Sequence, residues 1–110
     1  MSKLYKVGNW KEGMANFYFE CLGCKMNHGV WTEKWVKDHD VNNNPIYGPV
    51  WGFNNNMDKP TFTPSILVTI GHGEKPSDIC HSFVRDGMIQ YLGDCTHELK
   101  GQTIELPEIN

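Results

Sequence analysis

The sequence predicts a small all-β domain, built as antiparallel strands in one pair of layers. Four Trp, four Tyr and five Phe supply much of the burial that 110 residues allow, and aromatic residues favour strands. Eleven Gly, six Pro and two runs of Asn indicate many turns between short elements. A chain of this length has room for one modest core. We therefore expect a single domain over residues 1–110, with residues 1–13 as a loosely packed N-terminal arm.

The first half of the chain contains three strand candidates separated by turns. The stretch "ANFYFEC" (15–21) predicts a strand, "LGCKMNHG" (22–29) a turn, and "VWTEKWV" (30–36) a second strand. The polar stretch "KDHDVNNNP" (37–45) predicts a surface loop. In "IYGPVWGF" (46–53) apolar and aromatic residues favour a third strand, although Gly and Pro limit its regularity.

The second half contains the clearest local structure, a hairpin in "CHSFVRDGMIQYLGDC" (80–95). Before it, "TFTPSILVTI" (61–70) predicts a strand in which Pro64 marks an edge or a bulge. Asp86-Gly87 between two apolar stretches is the strongest short hairpin signal. This turn pairs Arg85 with Met88, and the pairing continues as Val84 with Ile89, Ser82 with Tyr91, and Cys80 with Gly93. Side chains alternate between faces along a strand, so His81 lies opposite Cys80. A last strand is expected around residues 103–106.

The four cysteines fall into two pairs that this topology brings to two strand ends. Cys21 and Cys24 are separated by two residues at the end of a strand, and Cys80 and Cys95 share the open end of the hairpin. Without the apolar region of a signal peptide, the chain is expected in the reducing cytoplasm, where cysteines favour metal over disulfides. We predict a zinc-ribbon-like domain with Zn²⁺ held by Cys21, Cys24, Cys80 and Cys95.

Other ligand sets and other uses of the cysteines remain open at this point. A Cys₃His site is the first alternative, with His97, His28 or His81 replacing a cysteine. A disulfide or redox role is less favoured, because no helix is predicted after the Cys21–Cys24 pair. Four unrelated free cysteines are the remaining interpretation.

Charge and hydropathy exclude two further classes of protein. The net charge is -3 and the pI about 5.9, whereas a nucleic-acid-binding surface is usually basic. No apolar run reaches the ~18 residues of a membrane helix. We expect a soluble protein that binds neither nucleic acid nor membrane.

Catalytic motifs are absent from the sequence. Neither an H-E-x-x-H pair nor a deaminase arrangement is present. A zinc ion with an open coordination position could act together with Asp94, His97 or His81. Ser65 follows Pro64 in a predicted strand and has no nucleophile-elbow motif, so no serine nucleophile is predicted.

Three stretches in this order resemble a family of small proteins of unknown function found in bacteriophages, prophages and bacteria. They are "FYFECLGCKMNH", "WGFNNNMDKPTFTPSILV" and "CHSFVRDGMIQYLGDCTHELKGQTIELP", which together span residues 17–107. Some members carry the label ammonia monooxygenase, a large membrane copper enzyme that 110 soluble residues cannot form. The family's first cysteine pair reads Cys-Pro-Gly-Cys-Gly, and Leu22 and Lys25 replace the Pro and the second Gly here. The resemblance implies a phage or mobile-element accessory protein, located in the bacterial host cytoplasm or in the virion.

Two functional interpretations follow. The first is a zinc-stabilised, non-catalytic module that binds a protein partner, namely a host factor, a defence component or another virion protein. The alternative is a small zinc-dependent hydrolase or modifying enzyme that uses Asp94, His97 or His81.

Overall fold

The computed structural model describes residues 2–8 and 14–109 of the chain. These residues form ten β-strands and no helix, so the described part contains no helix that could cross a membrane. The strands are β1 (Tyr5–Lys6), β2 (Phe17–Cys21), β3 (Met26–Val30), β4 (Val36–His39), β5 (Pro45–Tyr47), β6 (Gly52–Phe53), β7 (Phe62–His72), β8 (Lys75–Arg85), β9 (Met88–Tyr91) and β10 (Thr103–Glu105).

The strands are arranged in three antiparallel sheets. One sheet has the order β1-β2-β3, a second has the order β10-β9-β8-β7-β6, and β4 pairs with β5 alone. Buried side chains of the two larger sheets, among them Phe19, Phe62 and Tyr91, share one core cluster. The predicted all-β fold is therefore confirmed. A cluster of cysteine and histidine side chains in the core agrees with its zinc-ribbon-like character.

The hairpin at Asp86 and Gly87 has the predicted register. Arg85 pairs with Met88, Val84 with Ile89 and Ser82 with Tyr91. Asp86 and Gly87 have φ angles of 49° and 76°, the positive values that a type I′ turn needs at both central positions. Regular pairing ends at Tyr91, short of the predicted Cys80–Gly93 pair. The chain turns there instead, and the Cys95 N–H donates to the Leu92 carbonyl at 3.2 Å.

Two stretches predicted as turn and loop contain strands. The turn after Cys21 is tighter than expected, because Lys25 has φ 57° and its N–H donates to the Cys21 carbonyl at 2.8 Å. Residues 26–30 are thereby free to return as β3. In the second stretch, Asp40 accepts backbone hydrogen bonds from Asn42 and Asn44, both at 2.9 Å. The Asn run is therefore the turn of the β4–β5 hairpin, within the predicted surface loop.

Part of the predicted N-terminal arm is described by the structure. Leu4 is only 2% exposed in the core, and Tyr5 and Lys6 pair with β2. The buried Lys3 ammonium donates to Glu105 at 2.8 Å and to the Leu106 carbonyl at 2.9 Å. These contacts tie residues 3–6 to the sheets. Residues 9–13 of the predicted arm lie outside the described residues.

The irregularity predicted at Pro64 is present in the five-stranded sheet. The register between β7 and β8 shifts between Phe62 and Ile66, and Pro64 and Ser65 lie inside that shift. The extra residues on β7 form a bulge, a feature that commonly redirects a side chain. Ser65 is the last residue inside this shift.

Candidate active site and metal centre

Two groups of reactive side chains lie on opposite faces of β8. Successive side chains of a strand alternate between faces, and Cys80, at 2% exposed, lies in the core. The side chain of its neighbour His81 is 27% exposed. The predicted separation of His81 from Cys80 therefore holds. One strand carries a buried thiol on its inner face and an accessible imidazole on its outer face.

On the outer face, His81 connects a serine to an aspartate. Its Nε2 lies 3.0 Å from the Ser65 hydroxyl oxygen, and its Nδ1 lies 3.0 Å from the Asp94 carboxylate. A carboxylate can only accept, so Nδ1 carries the proton and Nε2 is the acceptor for the serine hydroxyl. A serine, a histidine and an aspartate in this order are the catalytic triad of serine hydrolases.

Each member of this triad is positioned by a different strand or turn. Ser65 lies at the end of the β7 bulge, and Leu67, two residues on, pairs with His81 across the ladder. Asp94 lies in the turn after β9, which is anchored by the Leu92 N–H donating to the His81 carbonyl at 2.9 Å. The Ser65 carbonyl accepts from the Trp51 indole at 3.2 Å. Three elements distant in sequence thus converge on one imidazole.

The prediction that no serine acts as a nucleophile is not tested by this geometry, but its premise is too narrow. It depended on the absence of a nucleophile elbow, but triads occur on unrelated folds and are recognised by geometry. Here a bulge, instead of an elbow, presents the hydroxyl. The available signals were the irregularity at Pro64 and the placement of His81 on the face opposite the cysteines. Neither signal pairs Ser65 with His81, because that contact depends on the register between β7 and β8.

On the inner face, the ligand atoms of Cys21, Cys24, His28 and Cys80 all lie within 4.8 Å of one another. All four cysteines of the chain are free thiols. The Cys21 and Cys80 sulfurs are 3.8 Å apart. Two sulfurs bound tetrahedrally to one Zn²⁺ at about 2.3 Å lie roughly 3.8 Å from each other. This cluster could hold a metal ion.

The local structure around Cys21 also suits a metal. The Cys24 N–H donates to the Cys21 sulfur at 3.3 Å, which stabilises a thiolate and orients it. The Nε2 of His28 is buried and has no hydrogen-bond partner among the described residues. A buried polar nitrogen is rarely left unpaired, and coordination of a cation would satisfy it.

The thiols of the cluster influence one another's ionisation. A hydrogen bond from Cys80, opposed by burial, is the main cause that lowers the pKa of Cys21 to about 3. Burial, and next the nearby Cys21 charge, raise the pKa of Cys24 to about 11. The Tyr91 hydroxyl lies 3.2 Å from the Cys21 sulfur. These contacts favour the thiolate form of Cys21, and a divalent cation would favour ionisation of the other thiols.

The remaining predicted ligands lie in a second, overlapping group. Cys95 and His97 are grouped with Cys80, so Cys80 is common to both groups. The Cys95 sulfur also accepts from the His81 N–H and donates to the His81 carbonyl, both at 3.2 Å. The four-cysteine ligand set stays a prediction, with His28 as the alternative fourth donor. His81, another predicted alternate, is instead engaged by Ser65 and Asp94.

The comparison with protein families identifies one match. The model of the BubE family, described as the serine protease of a bacterial ubiquitination-like system, matches residues 1–92. That range includes Ser65 and His81, and Asp94 lies just beyond it. No curated protein and no solved structure matches the chain. The phage-associated family is not among these findings, so that resemblance stays a prediction.

The family description changes the functional interpretation. It names an enzyme, so the main prediction of a non-catalytic, protein-binding accessory module is wrong. The alternative, a small zinc-dependent hydrolase or modifying enzyme that uses Asp94, His97 or His81, agrees better with this description, because it is an enzyme. With the family model covering most of its length, the chain belongs to the BubE family of bacterial ubiquitination-like system serine proteases.

Proposed function

We propose that this chain is a serine protease in which Ser65 is the nucleophile, His81 the general base and acid, and Asp94 the residue that orients His81. The observation that carries the proposal is the chain of two 3.0 Å contacts from Ser65 through His81 to Asp94. It is supported by the family's description as a serine protease.

The reaction follows from the protonation states of the three side chains. His81 Nε2 takes the hydroxyl proton while the Ser65 oxygen attacks the carbonyl carbon of the substrate. When the C–N bond breaks, the imidazolium returns that proton to the leaving amine, and an acyl ester remains on Ser65. Water then attacks the ester, with His81 again taking and returning one proton. The carboxylic acid is released and Ser65 regains its hydroxyl.

Asp94 holds His81 in the tautomer that this sequence of steps needs. Its carboxylate accepts from Nδ1 and stabilises the imidazolium that forms when Ser65 is deprotonated. The Asp94 side chain is 54% exposed, and water therefore screens its charge. We infer a smaller electrostatic contribution from Asp94 than from a buried triad aspartate.

The substrate and setting follow from the family. We propose that the chain cleaves a polypeptide of a bacterial ubiquitination-like system, so that its protein partner is its substrate. We also propose that it acts in the bacterial cytoplasm, where reducing conditions keep the four cysteines available for metal.

For the metal we propose Zn²⁺, held by Cys21, Cys24 and Cys80 with His28 or Cys95 as the fourth ligand. Thiolate and imidazole donors in a compact tetrahedral arrangement suit zinc. The cluster lies behind β8, on the face away from Ser65, so we assign the ion a structural role. Elemental analysis of purified protein tests this directly, with one zinc per chain as the expected result and absence of any bound metal as the contrary one.

The protease activity is tested with a peptide library prepared from a bacterial proteome. The library is incubated with the wild-type protein, with Ser65→Ala, or with Ser77→Ala, which removes an exposed serine from the same sheet. Mass spectrometry then identifies newly formed peptide N-termini. We expect new termini with the wild type and Ser77→Ala but not with Ser65→Ala. The same termini in all three samples, or none in any, would contradict the proposal.

A further inference from the structure

A groove of about 430 Å³ lies along the outer edge of β7. Residues 66–70 of β7 form one side, beginning directly after Ser65. Residues 26–29, nearly all of β3, form the opposite side. β3 is the terminal strand of its own sheet. The groove therefore lies between two strand edges.

The edge of β7 that faces this groove carries backbone groups without a strand partner. Within the described residues, β6 pairs with β7 only at Phe62 and Thr63. Beyond the bulge, the hydrogen bonds of His81 and Ile79 show to which side of β8 their backbone N–H and carbonyl groups are directed. His81 directs its N–H and carbonyl to Cys95 and Leu92, and Ile79 directs both of its groups to Thr96.

The backbone groups of His81 and Ile79 are thus directed away from β7, and the backbone groups of their β7 partners are directed away from β8. Their partners on β7 are Leu67 and Thr69. In an antiparallel ladder, the backbone groups of a pair that is not hydrogen-bonded point away from each other. Leu67 and Thr69 thus direct their N–H and carbonyl groups toward the groove. The Ser65 carbonyl, which accepts from the Trp51 indole, points to the same side.

Three tryptophans form an apolar wall of the groove. Trp31 and Trp35 are stacked with ring centroids 3.9 Å apart and planes 8° apart. The Trp35 indole donates to the Pro49 carbonyl at 2.7 Å, and Trp51 is fixed by its bond to Ser65. All three line the groove, and Leu67 on the facing strand is 57% exposed. The wall is held in place by these contacts before any ligand arrives.

We propose that this groove binds the substrate polypeptide as an added β-strand, antiparallel to β7. The segment that precedes the cleaved bond pairs with Leu67 and Thr69 and places an apolar side chain against the tryptophans. An extended peptide on a free sheet edge is held by main-chain hydrogen bonds, and pockets select its side chains. The nucleophile is in the same strand, so pairing with β7 places the scissile carbonyl at Ser65. This inference rests on the proposed protease function.

The direction of the peptide follows from the chemistry and from the position of the groove. The groove lies on the C-terminal side of Ser65 along β7, so an antiparallel peptide places its N-terminal segment there. That segment is the acyl portion, which stays covalently attached to Ser65 until water releases it. In the antiparallel arrangement the groove therefore holds the acyl portion, which is bound both while Ser65 is acylated and while water hydrolyses the ester.

The test compares two phosphonate probes that react covalently with Ser65. The short probe is the diphenyl phosphonate analogue of acetylalanine, and the long probe adds Val-Leu-Val before the alanine analogue. In both, the Ser65 oxygen attacks phosphorus and phenol leaves with the proton taken by His81. The second-order labelling rates are measured on the metal-loaded full chain by intact mass. We expect the long probe to react about tenfold faster or more, from two paired residues and one buried apolar side chain.

Versions of the long probe N-methylated at one amide at a time test the strand pairing. Because backbone groups of a strand alternate in direction, methylation should slow labelling about fivefold or more at every second amide only. Leu67→Pro removes one groove-facing N–H, and proline is tolerated at such edge positions. In the Leu67→Pro protein the long probe should label hardly faster than the short probe. Leu67→Ala keeps the N–H, so the long probe should remain clearly faster.

The outcomes separate this inference from the function on which it rests. If the short probe labels Ser65 but the long probe is no faster, the groove assignment is overturned and the protease proposal stands. If all N-methylated probes react alike, strand addition is overturned even where Leu67→Pro fails to fold. If neither probe labels Ser65, both proposals are overturned.

Discussion

Replacing Asp94 by Asn removes one negative charge beside His81 and leaves the shape of the side chain almost unchanged. At the observed 3.0 Å between Asp94 and His81, two unit charges interact by about 1.4 kcal/mol at a dielectric constant of about 80 and about 5.5 kcal/mol at about 20. Asp94 is 54% exposed, so the interaction energy is closer to the value at the dielectric constant of water. We take about 2 kcal/mol of lost transition-state stabilisation, which is roughly a 30-fold lower rate.

The assay for this variant is the second-order rate at which diisopropyl fluorophosphate labels the protein. The matched control is Glu98→Gln, which removes the same charge from another exposed residue near the turn and should change the rate less than about twofold. The melting temperature of each variant is measured alongside. If Asp94→Asn folds normally and is labelled at the wild-type rate, the orienting role of Asp94 is refuted.

Three further predictions concern the metal and the fold. Cys21→Ser, or removal of metal by a chelator, should cost at least about 3 kcal/mol, lowering the melting temperature by roughly 15 °C; an unchanged melting temperature would contradict a structural metal. Gly23→Ala should destabilise the fold by about 1–3 kcal/mol in denaturant titrations, because a Cβ there would overlap the His97 ring. The hydrogen bond from Lys3 is the main cause that lowers the pKa of Glu105, so this pair stabilises the fold at neutral pH and is lost as acid protonates the carboxylate. The melting temperature of Lys3→Met should therefore fall less on acidification than that of the wild type. If both proteins show the same fall, the Lys3–Glu105 pair does not cause it.

The parts of the structure that the sequence predicts well are those determined by neighbouring residues. Asp86-Gly87 requires two positive φ angles in succession, and it therefore determines the hairpin register and the separation of His81 from Cys80. The Cys21–Cys24 spacing likewise predicts a tight turn with both thiols on one side. These features need only a few residues of chain, so local rules suffice for them.

The triad was not predicted because its geometry depends on long-range register. The Ser65–His81 contact lies at the register shift of β7 between Phe62 and Ile66, and no local pattern states how many residues that shift contains. Asp94 reaches His81 because the chain leaves the strand after Tyr91 and turns back over β8. The predicted continuation of the pairing to Cys80 and Gly93 did not include this turn. The β4–β5 hairpin was missed for a different reason: every residue of these two strands is exposed, so no buried face produces a pattern.

The most direct test of the account is to locate the site of covalent modification by diisopropyl fluorophosphate with tandem mass spectrometry. The wild-type, metal-loaded protein is labelled, digested and sequenced, with Ser65→Ala treated in parallel. The account predicts one phosphoryl group per chain, attached to Ser65, and no labelling of Ser65→Ala. Modification of any other serine, or equal labelling of the Ser65→Ala protein, would contradict the assignment of Ser65 as the nucleophile.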